Sequence, residues 1–520
     1  MSEKMNVLFI ITDQQRADHL GCAGNPILKT PNLDKLASEG VRFTNAYCSN
    51  PMCSPNRASL LTGLYPNAHG LKFNRINLPL NVPTITQTLR NSGYHTISVG
   101  KMHLQSAAPT LNKESSVEFG PQWRDNTTKM IDTFPSPYYG FDEVEITIGH
   151  GDICTGHYTQ WLEERSPKSL EYIKNMNPMR IFTDLVYKTE LPEEFYPSTY
   201  VTERTIAFLE RYANGDYGDK SFFMHCSYPD PHHPICPPGK YQTMYDPDDI
   251  ELPASYHDFE NIKNHKFLKR FIENPIAPAL LNPSTEEEIR KFTAGTYGAI
   301  SLIDHGVGQI LASLEKLGLA DNTMIVYTSD HGDLMGDHRL TCKGPSPFNG
   351  VLQVPLLWKV PGLTKRGGKA DSIVTSIDIP KTILSLLNIK QKAQPPDMQG
   401  VDLTPALKDP EKKVRDCCLI EEDEILFRSP IRVRHLVTDN YKLTLYSELE
   451  DHGDLFDRKN DPHELRNLWY DENYKDLRFE LVNKLYHENL KAQILYPRRK
   501  ADIEAYTRKQ LRDLKQSTEK

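Results

Sequence analysis

The strongest constraint on how this 520-residue chain folds is a repeated punctuation: short apolar runs that each break off on a charged or histidine-bearing turn. "NVLFIIT" stops at Asp13 and "YHTISVG" at the Lys101 and His103 of "KMHL". "SFFMHCSY" stops at the His232–His233 pair of "DPHHP", and "MIVYTSD" ends on Asp330 and His331. Such runs read as buried strands. Helix grammar fills the spaces between them. "TPNLDKLASEG" carries Thr30 as cap, Pro31 at the first position and Gly40 as stop; "SPNRASLLTG" repeats it with Ser54 as cap, Pro55 inside and Gly63 after the end. A long amphipathic helix is predicted over 286–317. This alternation predicts an α/β fold, a large mostly parallel sheet flanked by helices. Ligand sites in open α/β sheets lie beyond the carboxyl ends of strands, so the four clusters are expected to converge on one crevice.

A single core stops growing beyond about 250–300 residues, so this chain needs a second unit. The grammar changes near residue 400, which divides the chain into an α/β catalytic domain over 1–400 and a smaller C-terminal α+β subdomain over 401–520. "IRVRHLVTDNYKLTLYS" reads as an antiparallel hairpin turning at Asp439–Asn440, and a charged helical tail is expected over 463–520. The tail's "LKAQILYPRRK" has a few apolar anchors in a polar context and is expected to pack on a neighbouring subunit in a homodimer or homotetramer. The net charge is -8 and no basic block carries interleaved aromatics, so nucleic acid is not an expected partner. No segment is apolar for long enough to span a bilayer, and the run from Val7 to Ile11 is too short for a signal-peptide core. A membrane partner is therefore not expected, and the expected compartment is the cytoplasm. Nine cysteines at irregular spacing argue against a disulfide framework, and no second pair at zinc spacing follows Cys48 and Cys53.

Asp13, Asp330 and His331 suit a divalent metal that accepts oxygen and imidazole ligands: calcium, manganese or magnesium. A single Asp after a strand is commonly a turn residue, but the run Asp-His-Gly-Asp at 330–333 shifts the balance towards a site. Lys101, Arg57 and Lys343 add fixed positive charge, and a cation beside several basic groups is built for a tetrahedral anion. Cys53 lies at the start of a helix, where a thiolate is stabilised. A phosphatase-type thiolate nucleophile needs five residues between Cys and Arg; here three separate Cys53 from Arg57, so that reading fails. A buried structural cysteine is the plainer alternative.

"CSPNRASLLTG" resembles the Cys-x-Pro-x-Arg signature of the formylglycine-dependent (type I) sulfatases of the alkaline phosphatase superfamily. The opening "VLFIITDQQRADHLGC", "KTPNLDKLASEGVRFTNAYC", "VGKMHL", "PHHP", "TSDHGDLMGDH" with "CKGP", and the closing "DLFDRKNDPHELRNL" are similar to family segments, spanning most of 6–470 but not the insertions 104–198 and 240–285. The resemblance implies that Cys53 is converted to formylglycine by a maturation enzyme. One hydroxyl of the hydrated aldehyde would attack sulfur, and loss of a proton from the other would expel sulfate. It further implies one divalent cation, calcium in first place, held by Asp13, Asp330, His331 and the modified Cys53. Gln14 stands where many members have a second Asp, and its amide oxygen can still coordinate. Arg57 would hold the diol, Lys101 the sulfate, and His103 would take the diol proton. His232 and Lys343 would serve the leaving oxygen, with His233 facing substrate or supporting its neighbour. Imidazole suits proton roles because its reference pKa is about 6.5.

The implied activity is hydrolysis of a small-molecule or saccharide sulfate monoester. Two alternatives stand beside it. One is a phosphonate monoester or phosphodiester hydrolase of the same superfamily, whose members can share the Asp-Gln opening but lack the Gly-Lys-x-His segment. The other is a silent binding protein on this scaffold, which would have no need of every charged position. The Tyr-rich stretch "SPYYGFDEVEITIGHGDICTGHY" is a candidate pocket lining.

Overall fold

Strand β1 (Asn6–Thr12) is buried at every position, and its alternating side chains separate two cores. Val7, Phe9 and Ile11 face a cluster that includes Ile85, Leu89 and Ile383, while Leu8 and Ile10 face one with Phe208, Ile303 and Val307. Each such side chain contributes roughly 1.5–3 kcal/mol when fully buried. The computed structural model describes residues 4–110, 113–125, 132–177, 184–273, 281–426 and 429–493. The strands that follow β1 are β2 (Val41–Tyr47), β3 (His95–Gly100), β4 (Glu143–Ile148), β5 (Thr155–Gly156) and β6 (Phe222–Ser227). Then come β7 (Asn282–Pro283), β8 (Thr323–Ser329), β9 (Leu340–Thr341), β10 (Leu356–Lys359) and β11 (Gly368–Thr375).

Nine of these form one sheet in the order β11-β2-β10-β8-β1-β6-β3-β4-β5, and β7 pairs with β9. From β8 to β4 every neighbour is parallel. β10 runs antiparallel to both β2 and β8, and β5 runs antiparallel to β4. The large, mostly parallel sheet flanked by helices is thus as expected. Helices Pro197–Ala213 and Glu286–Lys316 cover one face; Ile85–Asn91 and Asp378–Leu386 cover the other.

A separate antiparallel sheet follows: β12 (Cys417–Leu426), β13 (Ser429–Thr438), β14 (Tyr441–Tyr446) and β15 (Gly453–Asp457), in that order. The turn between β13 and β14 is the expected Asp439–Asn440. Helix Lys475–Ala492 lays Leu481 and Leu485 on Leu419, Leu436, Leu443 and Leu455. This sheet is tied to the loop before Cys53: Glu421 N donates to Ser49 O (3.0 Å) and Asn50 Nδ2 to Glu421 O (2.7 Å). The helical tail is seen as far as 493; residues 494–520, which hold most of the expected subunit-contact segment, lie outside the described residues. No helix among the described residues is long and apolar enough to cross a membrane.

One helix start differs from the sequence reading. The helix is Cys53–Thr62 with Met52 at its cap position, so Cys53 is its first residue and Ser54 is not the cap. The reason is tertiary. Ser54 N donates to Asn74 Oδ1 (3.1 Å), so an early helical N–H finds a partner without a capping side chain.

Candidate functional site

β8, β1, β6 and β3 are consecutive in the sheet, so the four polar turns emerge side by side. The ladder continues just past the strands, with Asp13 N bonded to Asp230 O (3.0 Å), Lys101 N to Ser227 O (3.0 Å) and Asp330 N to Thr12 O (3.2 Å). Gly100 permits this packing. It sits at φ 99, and a Cβ there would lie 1.8 Å from Ser227 O.

Cys53 reaches the same point from the helix N-terminus. Its Sγ lies 3.0 Å from Lys343 Nζ, 3.1 Å from His331 Nε2 and 3.8 Å from Asp13 Oδ1, and the residue is 1% exposed. Burial and Asp13 oppose ionisation, but Lys101, Lys343 and His331 outweigh them and hold the thiol well below its ordinary pKa. Arg57 is one turn further along the same helix face. Its Nε donates to Asp330 Oδ2 (2.8 Å) and its Nη1 to Lys101 O (3.0 Å) and Ser227 Oγ (2.9 Å), while Nη2 lies 3.4 Å from Asp13 Oδ2.

Asp13, Cys53, Asp330 and His331 each place a ligand atom within 4.8 Å of the others. Two carboxylates and an imidazole in this set can hold a divalent cation. His331 Nδ1 donates to Gly332 O (2.9 Å), which turns Nε2 to the cluster, 3.0 Å from Lys343 Nζ. Gln14 Nε2 donates to Asp333 Oδ2 (2.6 Å) and lies 3.1 Å from His233 Nδ1, so its Oε1 is turned inward, 3.2 Å from Lys343 Nζ. Gln14 sits at φ 67 and its N–H bonds Asp330 Oδ1 (3.0 Å); a non-glycine residue there costs about 1 kcal/mol or more, and such strain gathers at sites. Asp13 is buried, which works against ionisation. Lys101, Arg57, His150 and Lys343 nonetheless hold it well below the usual carboxylate range.

On the other side of Cys53 stand the groups suited to an anion and a leaving oxygen. Lys101 Nζ contacts Asp13 Oδ2. His232 Nδ1 donates to the His233 carbonyl, which leaves its Nε2 to accept from Lys343 Nζ at 2.8 Å. Burial, with His150 and Lys343 beside it, keeps His232 neutral. Lys343 is desolvated too, but Cys53, Asp13 and Asp330 raise its pKa, so it carries the proton of the pair. The loop bearing the β7–β9 pair holds Lys343 in place through Leu281 N to Lys343 O (3.2 Å).

Nine of the ten predicted site residues thus lie in one network: Asp13, Gln14, Cys53, Arg57, Lys101, His232, Asp330, His331 and Lys343. His103 is placed next to it but not bonded to Cys53. Its backbone N, with those of Leu104 and Gln105, donates to the Glu118 carboxylate (2.7, 3.0 and 3.0 Å), and among the described residues its buried Nδ1 makes no hydrogen bond. His233 supports Gln14, as noted.

Three participants were not singled out by residue, although one, His150, lies in the Tyr-rich stretch expected to line the pocket. Asp333 orients Gln14 and Glu118 fixes the His103 loop. His150 stacks on His232 with ring centroids 3.6 Å apart and planes at 14°, and both its nitrogens lie 3.4 Å from Lys101 Nζ. His150 follows β4 as the other clusters follow their strands, so the strand-end rule applied to "ITIGHG" would have found it. His338, in the same motif as Asp330, is buried elsewhere against Asp258 Oδ2 (2.9 Å).

Comparison with known proteins agrees with this geometry. Residues 5–389 match the family model described as Sulfatase, and residues 337–491 match that of N-sulphoglucosamine sulphohydrolase, C-terminal. An arylsulfatase of Clostridium perfringens is 29% identical over 516 residues, covering 94% of this chain and 95% of that protein. Among solved structures, the phosphonate monoester hydrolase of Agrobacterium radiobacter superposes with a TM-score of 0.76 at 23% identity, covering 94% and 96% of the two chains. A protein in complex with its substrate D-glucosamine-2-N,6-O-disulfate superposes at 0.71 with 20% identity, covering 96% and 100%.

Proposed function

The chain belongs to the sulfatase family of the alkaline phosphatase superfamily, and from that premise we propose that it hydrolyses a sulfate monoester, a sulfated saccharide or other small ester, through a formylglycine made at Cys53. The observation that carries this reading is the position of Cys53. It sits where a metal-ligand cluster (Asp13, Gln14, Asp330, His331) meets a proton-bearing pair (Lys343, His232), with Sγ about equidistant from His331 and Lys343. Asp13, Gln14, Asp330 and His331 would hold one divalent cation, calcium in first place, which when bound supplies Lewis acidity to the nucleophile and the sulfuryl oxygens. Oxidation of Cys53 by a formylglycine-generating enzyme would supply a hydrated aldehyde, whose two hydroxyls suit attack and release.

The remaining work falls to encoded side chains. Arg57 braces both carboxylates and so fixes the spacing of the donor set. Lys101 brings a fixed positive charge to the sulfuryl oxygens. Lys343 holds the proton that the leaving oxygen needs, and the bond to His232 Nε2 gives that proton a second seat during transfer. His103, with its buried and unbonded Nδ1, is the proposed base for the release step. A cytoplasmic setting belongs to the same proposal; it is supported by nine free cysteines, which suit a reducing compartment.

A panel of sulfate, phosphonate and phosphate esters, read by anion release, tests the reading together with mass spectrometry of the peptide around residue 53. Sulfate monoesters should give the highest kcat/KM, and the active fraction should carry an aldehyde. Full activity with only unmodified thiol at 53 would overturn the nucleophile. Gln14 in place of a second aspartate favours one competitor, a phosphonate monoester hydrolase; a phosphonate or phosphodiester outperforming every sulfate would install it.

A further inference from the structure

We propose that His150 is a positioning residue for the leaving-group side of this site, holding His232 in its working place and keeping it apart from Lys101; the inference rests on the ester-hydrolase reading above. Three observations carry it. First, the His150 ring lies nearly parallel to His232, 14° apart with centroids at 3.6 Å, on the ring whose Nε2 meets Lys343. Second, the same ring is wedged against Lys101, with both nitrogens 3.4 Å from Nζ, and its Nδ1 is 3.7 Å from Asp13 Oδ2. It therefore separates the cation that would meet the sulfuryl oxygens from the pair that would meet the leaving oxygen.

Third, the loop that delivers His150 is itself anchored. Asp152 is fully buried and accepts from Tyr172 OH (2.9 Å) and from Tyr187 OH. Gly151, at φ 49, packs so closely on the segment after His233 that a Cβ would lie 2.7 Å from Pro234 O. The two histidine loops are thereby locked to each other, and the stack is a built contact rather than a chance approach. The His150 side chain is 12% exposed against 4% for Lys101, so the ring lies nearer to solvent than the cation it packs on.

A positioning role on this side predicts an effect that depends on the leaving group. Esters whose oxygen leaves as an alkoxide need a well-placed proton; those with an acidic phenol need it little. In His150→Ala, kcat on an alkyl or sugar sulfate should fall about 100-fold, the scale of a misplaced acid. On 4-nitrophenyl sulfate the fall should be only about threefold, by the same argument. Metal content by elemental analysis should stay at the wild-type level. His150→Phe keeps a flat ring on His232 and should recover most of the alkyl-sulfate rate. Equal losses on both substrates, or a Phe variant as poor as the Ala variant, would overturn the proposal. If His150→Ala does not fold, His150→Phe decides alone: a leaving-group dependence like wild type supports the role, and a steeper one overturns it. Should the wild type prefer phosphonate esters, the sulfatase reading fails by itself, and the same comparison run on aryl and alkyl phosphonates still tests His150.

Discussion

Two buried clusters of histidine and aspartate occupy different halves of this molecule, and the backbone around them gives them opposite characters. In the strand-end site, His331 and His232 each turn Nδ1 to a backbone carbonyl, so each points Nε2 into the cluster, where both meet Lys343 Nζ at 3.0 and 2.8 Å. Against the C-terminal sheet, His265, delivered by the segment before helix Lys269–Glu273, also comes within ligand distance of His452 and Asp454. There His265 Nδ1 accepts from two backbone N–H groups, those of Phe267 and Leu268, at 3.1 Å each. Its proton must therefore sit on Nε2, which donates to Asp454 Oδ1 (2.8 Å). Asn467 Nδ2 (2.6 Å) and Tyr446 OH fill the rest of that carboxylate. The first arrangement gathers two imidazole Nε2 atoms around one ammonium beside two carboxylates; the second staples an imidazole N–H to a carboxylate whose oxygens are otherwise filled. Residue type alone does not distinguish them. The neighbouring main chain, by fixing the tautomer, does.

The largest expected effect lies at the strand-end cluster. Cys53→Ala should lower kcat by about 10⁶-fold, the scale seen when a covalent nucleophile is removed, with a thermal midpoint close to wild type. Asp330→Asn should lose both bound metal, by elemental analysis, and about 10³-fold or more in turnover, since it removes a charged partner from the donor set. Full turnover in a metal-stripped sample would break the contrast. Asp454→Ala should do the reverse: metal and kcat unchanged, stability lower by about 3 kcal/mol, because His265, Tyr446 and Asn467 lose a buried acceptor. The staple also has a pH signature. Burial works against the Asp454 carboxylate, but His265 and Tyr446 hold its pKa below the ordinary value. Its stabilisation is therefore present above a pH of about 4 and fades as pH falls through the depressed value. Acid unfolding of the Asp454→Ala variant should be correspondingly less steep.

His103→Ala should fall between these, lowering kcat by about 10²–10³-fold while KM changes little, as expected for a proton acceptor acting in the transition state. The smallest effect is expected at His452→Phe. Among the described residues its buried Nε2 has no hydrogen-bond partner, and its ring stacks on Tyr446 and Tyr470. A phenyl ring keeps those contacts and loses one bond to Tyr470 OH, so a cost of about 1 kcal/mol is expected in chemical denaturation.

What could be read from the sequence was whatever is local. An apolar run followed by a charged or histidine-bearing turn is contiguous, and four such runs bring Asp13, Lys101, His232 and Asp330 to strand ends expected to meet in one crevice. The signature around Cys53 and Arg57 is likewise contiguous. His150 was missed because β4 is half-exposed at its start: "EVE" breaks the apolar run that made the other strands visible. Asp333 and Glu118 act by binding an amide and a set of backbone N–H groups across the fold, which leaves no periodic trace. The reversed strand β10 and the replacement of a Ser54 cap by Asn74 are tertiary outcomes of the same kind.

The central place of β1 has a consequence for how the chain comes to life. Its hydrogen-bonding partners are β6 and β8, and Asn6 is in register with Thr323. The first strand made is therefore among the last to be flanked. At about 5–20 residues per second, the ribosome needs tens of seconds to deliver β8 after β1. Through that interval Cys53 lies on an incomplete sheet, whereas in the finished protein it is 1% exposed. Under the formylglycine proposal, the maturation enzyme works against a clock set by sheet topology, and slowing or hastening translation of residues 54–329 should change the fraction of molecules that carry the aldehyde.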